Sequence, residues 1–231
     1  MKLDILIPVY NEEKTVSELL SAVSKLKCPG VEISVTVVND GSSDNTKDII
    51  LQHSHLYSQF IDLKQNLGKG GAVQAGLKAC TGDYVVFQDG DLEYDPLEIS
   101  QIAEVLLKFQ PDVTYGSRFL APKVTRVAYF YNKLGNYMIT GLFNLLNNTT
   151  FTDIYSCYFC YRRDLINPDE LKCMGWDQQA EILAKVVKRG KVFYEVPISY
   201  YGRSIEEGKK IRAHHIFSVF TTIIKERFLG S

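Results

Sequence analysis

The feature that most constrains this chain is an alternation of short apolar, β-branched runs with stretches whose apolar residues recur at helical spacing. Residues 3–9 form the first run, and residues 15–26 then place Val16, Leu19, Leu20 and Val23 on one helical face. The alternation repeats, with strands expected at 32–39, 60–64 and 83–88 and helices at 45–53 and 71–80. Strands joined through helices run parallel, so the pattern predicts an α/β fold: a mostly parallel, doubly wound sheet with helices on both faces. Ligands of such sheets bind beyond the carboxyl ends of the strands, which makes the residues just after each strand the ones to inspect.

Those residues are polar after the first, second and fourth runs. The first ends in Pro8-Val9-Tyr10-Asn11-Glu12-Glu13, the second in Asn39-Asp40-Gly41-Ser42-Ser43-Asp44, the fourth in Gln88-Asp89-Gly90-Asp91-Leu92-Glu93. Glycine between Asp89 and Asp91 lets both carboxylates turn toward one cation, and hard divalent ions such as Mg²⁺ or Mn²⁺ take oxygen ligands of this kind. The same tripeptide is good turn chemistry, and alone it leaves both readings open. Asp40, directly after a strand, is placed to accept from a base N–H or a ribose hydroxyl, while Ser43 or Asp44 suits a helix N-cap. Residues 66–71 set three glycines and Lys69 ahead of a helix, which suits close approach to phosphate but lacks full Walker spacing.

The second half is less regular, with helices expected at 96–109, 129–146 and 178–189 and strands at 112–116, 155–161 and 192–196. No linker or repeat interrupts it, so one domain over residues 1–231 is expected. The aromatic stretch of Tyr129, Phe130, Tyr131, Tyr137 and Phe143 is compatible with a lipid lying against it, with core packing the preferred reading. The tail, residues 211–229, carries Ile216, Phe217, Phe220, Ile223 and Ile224 on a helical stripe near Lys209, Lys210, Arg212, Lys225 and Arg227. Peripheral contact with an anionic membrane, an amphipathic cover for the sheet and an oligomer contact all remain open. Residues 202–212, charged and with two glycines, are expected to form a flap over the donor.

A net charge of −1 excludes a global attraction to nucleic acid. Five scattered cysteines favour a reducing compartment, and Cys157 and Cys160 read as buried thiols on opposite faces of a strand rather than a zinc site. No leader and no apolar stretch of roughly 20 residues is read. A cytoplasmic protein, soluble or peripheral on the cytoplasmic membrane face, is therefore expected.

Together these segments resemble glycosyltransferase family two, with its GT-A fold, and within it the branch of dolichyl-phosphate mannose and glucose synthases and their bacterial relatives. The likeness runs through the P-V-Y-N-E-E opening, the N-D-G-S-S-D-N-T loop, the N-L-G-K-G-G-A segment and the Asp89/Asp91 pair. It continues through Gly116-Ser117-Arg118, Thr152-Asp153, Glu195-Val196-Pro197-Ile198 and Tyr201-Gly202-Arg203-Ser204. The resemblance implies an inverting transferase moving a hexose from a UDP- or GDP-sugar to polyprenyl phosphate, or else to a saccharide hydroxyl in polysaccharide or glycan synthesis. It implies a nucleotide-sugar-binding half over residues 1–115 and an acceptor-side half over 116–231, ending in an amphipathic helix.

By the same likeness, Pro8, Tyr10, Asn11, Glu12, Asp40, Lys69, Asp89 and Gly90 hold the nucleotide. Asp89 and Asp91 hold the metal, with Glu93 as a third ligand. Arg118, Arg126, Arg203 and Lys209 meet donor or acceptor phosphates, and catalysis rests on Asp89, Asp91, Arg118, Asp177 and Arg203. One departure stands out: relatives tend to read G-F-E-F-E-P-E where this chain reads Gly175-Trp176-Asp177-Gln178-Gln179-Ala180-Glu181, and Gln179 replaces an acid, which bears on donor or acceptor preference. A phosphate acceptor is already an anion and needs no strong base, whereas a hydroxyl acceptor would ask Asp177 or Asp153 to take its proton. A sugar nucleotidyltransferase would need a glycine-rich basic loop after the first strand, and a non-catalytic nucleotide-sugar-binding module is expected to lose one of the paired aspartates. Neither condition is met.

Overall fold

The computed structural model describes residues 1–120, 126–127, 130–202 and 215–230. Strand β1 (Lys2–Val9) buries Leu3, Ile5, Leu6 and Ile7 completely. Burial on alternate and adjacent positions alike is what a strand covered on both faces requires. Helix α1 (Val16–Val23) buries the expected stripe of Val16, Leu19, Leu20 and Val23. The order then runs β2 (Glu32–Asn39), α2 (Thr46–Gln52), β3 (Gln59–Asp62), α3 (Gly68–Ala79), β4 (Tyr84–Phe87), α4 (Ile99–Phe109) and β5 (Val113–Ser117). It closes with α5 (Phe130–Asn147), β6 (Phe159–Arg162), α6 (Gln178–Arg189), β7 (Phe193–Pro197) and α7 (His215–Phe228).

One seven-stranded sheet, in the order β3-β2-β1-β4-β6-β5-β7, takes strands from both halves of the chain. Strand β1 runs parallel to β2 and β4, β2 to β3, and β5 to β7. Strand β6 alone is antiparallel to both its neighbours, which leaves the sheet mostly parallel, as expected. Helix α3 lies directly on β1 and β2: a Cβ on Gly76 would stand 2.2 Å from Leu6 Cδ1 and 2.9 Å from Val38 Cγ2.

Several expectations need correction. Helix α3 begins at Gly68, so the glycines form its first turn instead of preceding it. A Cβ on Gly68 would lie 2.5 Å from the Met174 carbonyl oxygen, and one on Gly70 2.2 Å from that of Cys173. These glycines admit a neighbouring backbone, so no phosphate is needed to explain them. Strand β6 starts at Phe159, which leaves Cys157 in the preceding loop, although both Cys157 and Cys160 are buried. Burial lifts both thiols, so neither is a ready thiolate. The N-cap of α2 is Asn45, not Ser43 or Asp44, though Asp44 Oδ1 accepts from the Thr46 N–H at 3.0 Å.

The preferred core reading of the aromatic stretch holds only for Phe143. Phe130 is 72% exposed and Tyr131 81%, Tyr137 is also exposed, and Tyr129 lies outside the described residues. Helix α7 buries Val219, Thr222 and Ile223 against α5 and α6 rather than against the sheet, while Phe217 is exposed. Among the described residues no helix is long and apolar enough to cross a membrane.

Candidate functional site

The loops after β1, β2 and β4 are tied into one surface by their own polar side chains. Asn11 has φ 51°, a left-handed backbone that asparagine tolerates better than most residues. Its N–H donates to Ser42 Oγ (3.0 Å), and its Oδ1 accepts from the Ser43 N–H (2.8 Å). The N–H of Glu12 donates to Thr46 Oγ1 at 2.8 Å, and Glu13 Oε2 accepts from the Asn45 N–H at 3.1 Å. Thr15 reaches the third loop, its hydroxyl 2.8 Å from the Gly90 carbonyl and 3.0 Å from Glu12 Oε2. Gly90 sits close under β1, where a Cβ would stand 3.0 Å from Val9 Cγ1. Pro8 closes β1 half-buried beside this turn, and Tyr10 is exposed at the rim.

Asp40 is buried, and its Oδ1 accepts from the Leu67 N–H at 2.7 Å, just ahead of α3. Burial raises its pKa despite the hydrogen bonds from Leu67 and Gly68 that favour the anion. One of its oxygens is therefore committed to holding the α3 entrance. Lys69, in the first turn of α3, puts Nζ 2.7 Å from Asp89 Oδ1 and 5.2 Å from the Trp176 ring centroid. Burial works against this ammonium, but the groups facing it, Asp89 foremost, together hold Lys69 above the ordinary lysine range. The N–H of Asp89 donates to Cys157 Sγ at 3.0 Å, so a buried thiol fixes the start of the turn. Asp91 Oδ1 accepts from the Glu93 N–H at 3.2 Å, and Glu93 itself is buried, with Oε2 accepting from the Tyr200 hydroxyl at 2.8 Å.

The second half supplies the opposite wall. Arg118, at the end of β5, makes a two-pronged pair with Asp153: Nε to Oδ2 at 2.7 Å and an Nη to Oδ1 at 2.9 Å. Asp153 is fully buried beneath it, which removes Asp153 as a base for an acceptor hydroxyl. Asp177 occupies the N-cap position of α6, half-buried, and accepts from Thr222 Oγ1 at 3.0 Å. The Arg126 side chain donates to the Gly202 carbonyl at 2.9 Å. Arg203, Lys209 and the flap expected at 202–212, beyond Gly202 itself, lie outside the described residues. Gln179, the departure from relatives, is in the core, its amide donating to the Tyr115 hydroxyl and the Ser156 carbonyl. Glu181 is likewise buried and accepts from the N–H groups of Lys172 and Cys173.

Tyr155 marks where the halves meet. Its hydroxyl donates to the Trp176 carbonyl at 2.8 Å, and its pKa is pushed up to about 12 by burial, with the charges of Lys69, Asp177, Asp89 and Arg118 all acting on it. Four residues expected to act on the substrate thus share one neighbourhood. Sequence reasoning passed over Thr15, Tyr155, Cys157, Trp176 and Tyr200, whose types alone carry no signal of such roles.

Asp89 and Asp91 are hard oxygen donors on either side of Gly90, and that donor set fits a divalent ion, which commonly takes one or two carboxylates plus substrate phosphate. Among the described residues no three acidic, histidine or cysteine side chains gather into a complete protein cage.

Comparison with known proteins matches residues 4–167 to the model of "Glycosyl transferase family 2". The chain belongs to glycosyl transferase family 2. This family 2 chain is 32% identical over 213 residues to a dolichol-phosphate mannosyltransferase of Pyrococcus furiosus. That alignment covers 90% of the chain, which spans only 59% of the relative's length. Its fold is shared with glucosyl-3-phosphoglycerate synthase of Mycobacterium tuberculosis, solved with Mn²⁺, UDP and glucosyl-3-phosphoglycerate (TM-score 0.73, 19% identity, 98% of this chain and 79% of that one). S. aureus TarS, residues 1–349, also aligns (TM-score 0.63, 21% identity, 99% and 73%).

Proposed function

We propose that this chain is an inverting hexosyltransferase that moves a sugar from a UDP- or GDP-sugar to a polyprenyl phosphate, with Mg²⁺ or Mn²⁺ as cofactor. The observation that carries the reading is the linkage of Lys69, Asp89 and Arg118 through Tyr155 and Trp176: the Tyr155 hydroxyl donates to the Trp176 carbonyl at 2.8 Å, Arg118 donates to the Tyr155 carbonyl at 3.0 Å, and Lys69, paired with Asp89 at 2.7 Å, lies 5.2 Å from the Trp176 ring. Pro8, Tyr10, Asn11, Glu12 and Asp40 are proposed to hold the base and ribose, with Lys69, Asp89 and Gly90 at the diphosphate. Asp89 and Asp91 would hold the metal, which supplies positive charge to the departing diphosphate. Residues 1–115 then serve the donor and 116–231 the acceptor, whose phosphate Arg118, Arg126, Arg203 and Lys209 are proposed to meet.

Two points favour a phosphate acceptor over a sugar hydroxyl. The Pyrococcus relative is named for dolichol phosphate. Asp153, one of the two carboxylates a hydroxyl acceptor would call on, is spent on Arg118. The exposed Phe130, Tyr131 and Tyr137 of α5, beside α7 with its exposed Phe217, offer apolar surface to a lipid chain. Incubation with Mn²⁺ and labelled UDP- and GDP-sugars, with and without polyprenyl phosphate, tests the reading. Label is expected in the lipid phosphate. Label only in a saccharide refutes that acceptor, and donor binding without any transfer reduces the chain to a binding module.

A further inference from the structure

We infer that Glu195, on the edge strand β7, is a positioning residue for Arg118: acting through Thr152, Asp153 and Ser117, it fixes the guanidinium edge that receives the acceptor phosphate. The inference rests on the proposed transferase reading and deepens it.

Glu195 stands opposite Tyr115 in the β5–β7 ladder, and β5 then runs on through Ser117 to Arg118. Its carboxylate takes up the start of the 152–153 segment. The Thr152 N–H donates to Oε1 at 2.8 Å and Oε2 at 3.0 Å, Thr152 Oγ1 donates to Oε1 at 3.1 Å, and the Asp153 N–H donates to Oε1 at 3.4 Å. A hydroxyl has one hydrogen, and that of Thr152 goes to Glu195, so Ser117 is the donor in the 2.6 Å contact between Ser117 Oγ and Thr152 Oγ1. Ser117 Oγ in turn accepts from the Phe119 N–H at 3.1 Å. The bonds from Phe119 through Ser117 and Thr152 to Glu195 therefore all point one way, and they tie the residues on either side of Arg118 to one carboxylate. Between them, the Arg118 N–H donates to Asp153 Oδ2 at 3.1 Å, and the guanidinium pairs with both oxygens of the same Asp153.

Two features set Glu195 apart from an ordinary loop brace. Its charge is answered by neutral donors: among the described residues no lysine, arginine or histidine forms an ion pair with it. Burial raises its pKa, against the bonds from Thr152 and Asp153 that favour the anion. Such a carboxylate is stable only while that one segment stays in place to satisfy it. The second feature is the part of Arg118 left over. Nε and Nη2 are spent on Asp153 and, at 3.0 Å, on the Tyr155 carbonyl, while Nη1 has no protein acceptor among the described residues. Its two N–H groups suit phosphate oxygens, and where they point follows from where Asp153 stands. No hydrogen bond or ion pair joins Glu195 to Arg118 directly among the described residues, so any influence passes through the 152–153 segment and Ser117.

The test compares Glu195→Leu with Glu195→Gln, which keeps an acceptor oxygen for the Thr152 N–H, and with Asp112→Asn as a control. Asp112 likewise accepts from two backbone N–H groups, those of Lys191 and Val192, but at the end of the β5–β7 ladder away from Arg118. Glu195→Leu is expected to raise KM for polyprenyl phosphate on the order of tenfold, while calorimetric affinity for Mn²⁺ with UDP or GDP stays within about twofold of wild type. Glu195→Gln should recover most of the loss. Thr152→Ala, which cuts only the hydroxyl links, should raise the same KM about threefold and decides the matter if Glu195→Leu does not fold. Asp112→Asn should lower Tm and leave that KM alone. The heteronuclear NMR signal of the Arg118 Nε–H, assigned by its loss in Arg118→Lys, should move in Glu195→Leu or Thr152→Ala and stay in Asp112→Asn. An unchanged KM in the Glu195 and Thr152 variants, or an equal rise in Asp112→Asn, overturns the inference. Wild-type protein that puts no label into lipid phosphate refutes the acceptor reading instead. The Nε–H signal then decides alone: if it moves, Glu195 positions Arg118 for another anion, and if it stays, the inference fails as well.

Discussion

Replacing Gly70 with alanine separates two explanations for the glycines at the start of α3. Alanine in a helix is favoured over glycine by about 1 kcal/mol, so in open space the change stabilises. At Gly70 the new Cβ would stand 2.2 Å from the Cys173 carbonyl oxygen and 2.6 Å from the Met174 carbonyl carbon, both backbone atoms. Reaching ordinary contact requires roughly 1 Å of separation between α3 and the 173–174 segment. Overpacking of this kind costs about 1–3 kcal/mol. The separation also strains the Gly70 N–H bond to the Met174 carbonyl, 2.8 Å long, worth about 1 kcal/mol. The balance is a destabilisation of about 1–3 kcal/mol, or a Tm lower by roughly 3–10 °C for a chain of this size. Gly141, in α5, is the control: a Cβ there meets nothing within 4 Å, so Gly141→Ala should raise Tm slightly. Scanning calorimetry on both variants reads the sign directly. A Tm for Gly70→Ala at or above wild type, together with lost nucleotide binding, would show that the glycine makes room for phosphate and would refute the packing argument.

Three further outcomes follow from the site. Asp91→Ala should abolish transfer while leaving Tm within a few degrees of wild type, because a half-buried loop carboxylate adds little stability; turnover retained in an assay with Mn²⁺ would count against the metal assignment. Asp153→Ala leaves the Arg118 cation buried without its partner and should cost about 3–5 kcal/mol in urea unfolding, where a loss under about 1 kcal/mol would contradict the pairing. For Asp40, a carboxyl held above its ordinary 3.8 by burial, the folded state binds the proton more tightly than the unfolded one. Its stabilising contribution is full below that value and lost as pH rises through the folded pKa. Asp40→Asn should flatten the stability profile in that window and weaken nucleotide binding; a profile identical to wild type would refute the burial effect.

The first half of the fold was legible because its strands are unbroken apolar runs and its helices carry single stripes, as at Val16, Leu19, Leu20 and Val23. The polar ends of β1, β2 and β4 pointed to one edge for the same reason: strand direction follows from the alternation. The reversed direction of β6 could not be read, since the apolar run Phe159-Cys160-Tyr161 reads the same whichever way the strand runs. The glycines of α3 were misjudged because sequence records that something comes close, never what. Gln179 looked like a substrate-facing change by its place in a motif, yet the turn of α6 that carries it faces Tyr115 and Ser156 in the core. Tyr200 and Glu93, far apart in sequence, gave no local signal of meeting.

Strand β6, drawn from the later part of the chain, lies between β4 and β5 in the middle of the sheet. A chain cut after residue 115 would strip β4 of that neighbour and leave a raw ladder edge beside the acidic turn. The later part of the chain is therefore no interchangeable cassette: exchanging it for that of another family member means rebuilding the platform on which the aspartates stand. For the same reason the two walls share one sheet, and swinging them apart as separate bodies would break the β4–β6 ladder.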